Sequence, residues 1–270
     1  MTKTYGPPPG TAAGRSLPFL PEPGSAPTPG LGAERPTRRA VTLLRRVEVV
    51  TLSPRGGIEE TSCLLPSLPA FEEPFSAFAR GTIFASDRGM VSVEDVWPGM
   101  VLRIADGGTA RVLWRGSTVI VPRGEGQDPA MTRLTRVAAE SMGLGKPFQD
   151  LVLGPRARVV VRRPAVRLLT GRDAALVPAA DLVDGVSLVE VTPPSPVEVY
   201  HLAFARHETL LANGIEVESY HPGPLHALSL RGDHLALFQS CFPQHPDLLS
   251  FGDPALPRLR RHDLDLFDAV

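Results

Sequence analysis

Short apolar segments separated by turn residues repeat from Phe75 to Gly223, and this rhythm limits what the chain can fold into. It is clearest between Phe75 and Met100. Thr82-Ile83-Phe84-Ala85 leads to a turn at Asp87-Arg88-Gly89, and Met90-Val91-Ser92-Val93 returns from it, which is a hairpin signal. Val101 to Ile104 and Ala110 to Arg115 then flank the turn Asp106-Gly107-Gly108. Gly116-Ser117 then leads to Thr118 to Val121. Leu151 to Leu153, Arg158 to Arg162, Val166 to Leu169, Val186 to Val191 and Val197 to Phe204 read as further short strands. Thr209-Leu210-Leu211 and Ile215-Glu216-Val217 flank Ala212-Asn213-Gly214, a tight-turn pattern. Arg133 to Met142 suits helix or extended chain equally. No helical period is sustained before Leu225. Many short strands with frequent turns predict an all-β domain over residues 75–223.

The flanks read differently. The first 36 residues hold nine prolines and six glycines, too rich in donor-free and flexible positions to pack, so residues 1–37 read as a disordered arm. Pro7-Pro8-Pro9 and Pro27-Thr28-Pro29 read as linker in preference to polyproline ligands. Residues 38–74 read as a β-hairpin and linker: Val41 to Leu44 and Val47 to Leu52, a turn over Ser53 to Gly57, and a return over Ile58 to Cys63. Arg38, Arg39, Arg45 and Arg46 read as a solvated strand face, because Glu48, Glu59 and Glu60 lie close by. Residues 224–270 form a C-terminal extension. There Leu225 to Phe238 suits a helix or two short strands. The basic group Arg258, Arg260, Arg261 and His262, with the acidic-apolar run after it, suits a partner-docking segment or a tail folded back on the domain.

Charge and composition exclude several roles. A formal net charge of -1 gives no general attraction to nucleic acid or an anionic membrane. Cys63 and Cys241 are too few for a disulfide scaffold or a four-cysteine zinc site, and read as buried thiols with a single bridge left open. No apolar run reaches membrane-spanning length, and the start of the chain lacks a signal-peptide core, so a cytoplasmic or non-classically exported protein is expected. No GxGxxG, P-loop or HExxH occurs, so no cofactor and no small-molecule substrate is implied. His201 and His207 share a face if one strand carries both, but a third metal ligand is lacking, so no metal is expected. Asp181 and Asp184 suggest a carboxylate pair less well than a turn at Asp184-Gly185. A protein partner, of unknown kind, is the class left open.

The residues also carry a family likeness. Phe78-Ala79-Arg80-Gly81-Thr82, followed by Val93 to Met100, resembles the opening motif of Hint (hedgehog/intein) domains. Leu151 to Val161 resembles the central motif. Val199-Tyr200-His201-Leu202 and Arg206 to Tyr220 resemble the closing motif of the bacterial Hint-type group. The resemblance implies a compact Hint-like β-fold of many short strands. It also implies self-processing chemistry. A leading cysteine or serine attacks the preceding peptide carbonyl. A central histidine, three residues after a threonine or serine, helps protonate the departing amide. In splicing members a terminal asparagine cyclises.

This chain departs from that pattern at each step. Ala77 stands at the nucleophile position, Ala157 at the central histidine and Gly154 at the threonine or serine before it. Val217-Glu218-Ser219 stands where a splicing member ends in His-Asn. His207 matches a histidine of the closing motif. Ser76 is one residue from the nucleophile position, and a shift of one residue along a strand turns a side chain to the other face. Cys63 lies well upstream, beyond several prolines. Asn213-Gly214 reads as a turn that needs positive φ, ahead of succinimide chemistry. The expected function is a Hint-like binding or structural module without autocatalytic cleavage or splicing. The alternative is an autoproteolytic domain that cleaves by an altered route near Ser76 to Phe78.

Overall fold

The computed structural model describes residues 43–267. The proline-rich arm, Arg38, Arg39, Val41 and Thr42 lie outside the described residues. Along the chain the strands are β1 (Leu44–Leu52), β2 (Ile58–Pro66), β3 (Phe78–Ala79), β4 (Ile83–Ser86), β5 (Gly89–Ser92), β6 (Val101–Arg103), β7 (Thr109–Arg111), β8 (Trp114–Ile120), β9 (Leu134–Val137), β10 (Leu151–Leu153), β11 (Arg158–Val161), β12 (Ala175–Pro178), β13 (Leu188–Val191), β14 (Val197–Ala203), β15 (Thr209–Ala212) and β16 (Ile215–Glu218). The α-helices are short: α1 (Pro69–Glu72), α2 (Pro164–Thr170), α3 (Gly232–Ser240) and α4 (Arg261–Asp265). The all-β class expected from the turn rhythm is what the chain adopts. Among the described residues no helix is long and apolar enough to cross a membrane.

The strands form two antiparallel sheets. One has the order β13-β9-β10-β3-β14-β8-β1-β2. The other has the order β12-β11-β16-β15-β4-β6-β7, with β5 paired to β4. The two-residue alternation explains β1: Arg45, Val47 and Val49 face inward, while Leu44, Arg46 and Glu48 face out. Strand β14 lies between β3 and β8, and its last five residues are all buried. The turn between β15 and β16 is the tight one expected, with Asn213 at φ 46° and Gly214 at φ 88°. The Asn213 carboxamide also accepts from the Ile83 N–H at 2.7 Å, which ties β4 to this turn.

Two cores result. The larger collects Phe78, Phe84, Leu102, Val159, Leu202 and Val217 with their neighbours from both sheets. The second gathers residues far apart in sequence, with Val47, Phe71, Phe75, Trp114, Tyr220 and Phe242 among them. Tyr220 and Phe242 stack with ring centroids 5.0 Å apart, and the Trp114 indole N–H donates to the Cys241 carbonyl at 2.7 Å.

Two local expectations are corrected. Val166 to Leu169 is helical, within α2, because Pro164 supplies the fixed φ of a first turn and Gly171, at φ 69°, ends it. Ala110 to Arg115 is not one strand: the chain leaves β7 at Arg111 and enters β8, in the other sheet, at Trp114. Gly116 and Ser117 lie in the middle of β8. A Cβ on Gly116 would lie 2.2 Å from the Trp114 ring and 2.6 Å from the Phe75 ring. Glycine is there for close packing of rings, not for a bend. Arg45 is a further departure, since it is buried and meets Glu72 at 3.6 Å instead of facing solvent. Gly116→Ala is accordingly expected to cost about 2–3 kcal/mol, seen as a lower denaturation midpoint with an unchanged denaturant slope.

Candidate functional site

The opening and central motifs meet at the Ser76-Ala77 peptide. The chain arrives there through α1 and a short 3-10 turn at Glu73–Phe75. The Ala77 N–H donates to the Tyr200 carbonyl at 3.0 Å, while the Ser76 carbonyl accepts from the Arg156 N–H at 3.0 Å. The Ala77 carbonyl accepts from the Gly154 N–H at 2.7 Å. This peptide is therefore hydrogen-bonded at both ends, on one side by β14 and on the other by the loop between β10 and β11.

Gly154 makes that contact possible. A Cβ at this position would lie 2.3 Å from the Ser76 carbonyl oxygen, which no side chain tolerates. Ala77 and Ala157 are each 1% exposed and belong to the larger core. Their methyl groups fill space and offer nothing to donate, accept or attack. Ser76 is fully buried, and its hydroxyl donates to the Glu72 carbonyl at 2.6 Å.

Arg156 and Arg158 flank Ala157 and point the other way from it. Arg156 pairs with the buried Glu72 at 3.0 Å and with Asp128 at 2.9 Å. Arg158 pairs with Glu73 at 2.6 Å and with the buried Glu218 at 2.8 Å. Glu218 also meets Arg258 of the C-terminal extension at 2.8 Å and His207 at 3.2 Å. Burial alone would raise the Glu218 pKa. Arg258, Arg158 and the His207 hydrogen bond outweigh it and hold the carboxyl well below the usual range.

His207 and His201 do not share a strand. His201 lies within β14, whereas His207 lies beyond its end, so the common face supposed for a metal pair does not exist. Among the described residues no group of three metal-ligating side chains occurs. The Ala255 N–H donates to His207 Nδ1 at 2.9 Å, which places the ring proton on Nε2, 3.1 Å from the Ser219 carbonyl. Both ring nitrogens are thus occupied by structure. Asp181 and Asp184 have separate tasks: Asp181 pairs with Arg260 at 2.6 Å, and Asp184 caps a turn by accepting from the Val186, Ser187 and Leu188 N–H groups. The basic end of the extension is therefore folded back on the β-domain.

His201 is the neighbour of this site that sequence reasoning missed. Strands β3 and β14 pair in the register Val199↔Ala79 and Tyr200↔Phe78, and the Ala77 N–H bonds the Tyr200 carbonyl, so His201, the next residue of β14, lies beside the site. His201 packs against the Phe78 and Tyr220 rings, and its Nδ1 has no hydrogen-bond partner. Burial, aided by Arg158, Arg258 and His207 and opposed by Glu218, lowers its pKa to about 3. Only the register of strands distant in sequence reveals this placement.

The family model of the Hint domain matches residues 76–224, more than half of the chain. The chain belongs to the Hint family. Among solved structures, the intein-like domain of Clostridium thermocellum is similar at 14% identity, covering 54% of this chain and 99% of that one with a TM-score of 0.36. The MchDnaB-1 intein is similar at 19% identity, covering 53% of this chain and 100% of that one with a TM-score of 0.33. No curated protein matches the chain. The matched Hint domain begins at Ser76 and ends just past Gly223, so the Ser76-Ala77 peptide stands at its first residue. Glu72, Glu73 and Arg258 lie outside it in sequence and contact it through the ion pairs above.

Two measurements test this electrostatic account. Arg258→Met is expected to lower stability by about 3 kcal/mol at neutral pH, because it strips a partner from a buried carboxylate. Glu218 has a depressed pKa in the fold, so its contribution is complete above the unfolded value near 4.5 and fades as pH falls through the folded one. The gap between Arg258→Met and the parent should therefore narrow below pH 4.5. His201 is also neutral in the fold but binds a proton when unfolded below about pH 6.5, so it costs stability as pH falls from there toward 3. His201→Gln is expected to flatten the pH dependence of chemical denaturation between pH 6.5 and 4.5. His221, lowered to about 4 chiefly by burial, leaves a residual slope.

Proposed function

We propose that this chain is a Hint domain without autocatalytic cleavage or splicing, serving as a binding or structural module for a protein partner. The observation that carries the reading is Ala77. It stands where the family resemblance puts the attacking side chain, and its methyl group is 1% exposed within a packed core. The nucleophilic step has no atom to perform it. Ala157, in the same core, leaves the departing nitrogen without a proton donor.

The alternative route through Ser76 is opposed by its geometry. Its hydroxyl is committed to the Glu72 carbonyl, and Ser76 is itself fully buried. His207, the other candidate, has both ring nitrogens engaged, one by the Ala255 N–H and one by the Ser219 carbonyl. The near-neutral charge and the ion pairs that consume the basic residues of the extension argue for a protein partner ahead of nucleic acid.

The test is the intact mass of freshly purified full-length protein, reduced, and incubated with added thiol or hydroxylamine. One species at the full 29.0 kDa is expected throughout. A fragment beginning between Phe75 and Phe78, formed without protease, would sink the reading and favour altered self-processing. Ala77→Cys is expected to remain intact as well, since Ala157 and Gly154 still lack the partners that cleavage requires. Thiol-induced cleavage of that variant would show that Ala77 alone withholds the reaction.

A further inference from the structure

Cys63 lies on β2, the outermost strand of its sheet, and Cys241 immediately follows α3 in the C-terminal extension. The Cys241 Sγ donates to the Leu237 carbonyl at 3.4 Å, and Cys63 lies close enough to act on its titration. Cys63 is half-buried and packs on the aromatic core that contains Cys241. Both are free thiols in this structure.

We propose that Cys63 and Cys241 are the two halves of a reversible disulfide that brackets the Hint domain, joining the hairpin before it to the extension after it. Two thiols brought side by side in one core are the arrangement from which a disulfide can form. The oxidant is a small-molecule disulfide. The Cys63 thiolate, the more accessible of the two, attacks one of its sulfurs and expels a thiolate. The Cys241 thiolate then attacks Cys63 Sγ in the mixed disulfide and expels the second. The two cysteine protons end on the departing thiolates, and the two electrons leave with them, so one small disulfide becomes two thiols.

The surroundings shape the rate of this exchange. Burial pushes the Cys63 thiol up, and pushes Cys241 up to about 12 with the adjacent Cys63 adding to it. Few thiolates exist at neutral pH, so exchange in the folded protein is slow. Once formed, a bond with one buried sulfur is also shielded from reductant. The covalent loop would enclose the whole of residues 76–224, and the constraint on the unfolded chain grows with loop length.

The bridge does not depend on whether the domain cleaves. Any break between Ser76 and Gly223 would leave both pieces joined without reductant, so the two questions are read from separate samples: chain integrity after reduction, and linkage before it. The full-length protein is treated with oxidised glutathione, denatured, alkylated with a maleimide and analysed by intact mass and tryptic mapping. Loss of two hydrogens, absence of maleimide adducts and a peptide joining Cys63 to Cys241 are expected, with an unfolding temperature above that of the reduced protein. Cys63→Ser and Cys241→Ala should each abolish the linked peptide. Two maleimide adducts, a lasting glutathione adduct on Cys63, or dimers linked through Cys63 would each overturn the proposal. The reduced parent protein serves as the folded reference, so the outcome does not hang on either variant folding.

Discussion

Two carboxylates that the fold takes out of water, Glu72 and Glu218, organise this molecule, with the half-buried Glu73 beside them. Glu72, Glu73 and Glu218 come from the approach to the domain and from its last strand, and they face Arg156, Arg158 and Arg258. A buried charge without a partner costs several kcal/mol, so these groups must meet together or not at all. That condition aligns segments the chain presents far apart. Arg156-Ala157-Arg158 reaches both glutamates of the approach while turning Ala157 into the core. Arg258 brings the extension across the top of the same cluster. The backbone bonds at Ser76 and Ala77 follow from that alignment.

The aromatic core serves the same end by a different force. Trp114 touches Phe75, Tyr220 and Phe242, which belong to the approach, the close of the domain and the extension. Apolar burial has no direction of its own, so it fixes proximity, and the charged cluster fixes register. Glycine at 116 lets the Trp114 and Phe75 rings close over β8. The segments on either side of the matched domain thus contribute to its packing through both forces.

Local patterns in the sequence were readable where local chemistry decides the structure. The Asn213-Gly214 hairpin, the alternation along β1 and the turn at Asp184 all depend on a few adjacent residues. Val166 to Leu169 misleads because β-branched and leucine residues suit a strand, while Pro164 and Gly171 outside that run set a helix. The role of Gly116 is hidden, because a glycine that admits two rings looks the same in sequence as one that turns the chain. Ala77, Gly154 and Ala157 stand out in sequence by likeness to a family motif. What they touch depends on strand order, as does the place of His201 on β14 next to Tyr200, which bonds Ala77. Arg45 reads as a surface charge until Glu72, across the fold, supplies its reason to be inside.

Gly154 gives the arrangement a direction. The Ser76 carbonyl occupies the volume a side chain at 154 would need, and it is held there by the Arg156 N–H, whose own side chain is tied to Glu72. A threonine or serine introduced at 154 would collide with backbone before it could do any chemistry. A side chain at 154 would require the approach segment to move and its ion pairs to part. The packing acts as a latch: the loop between β10 and β11 and the approach segment can be repositioned only together.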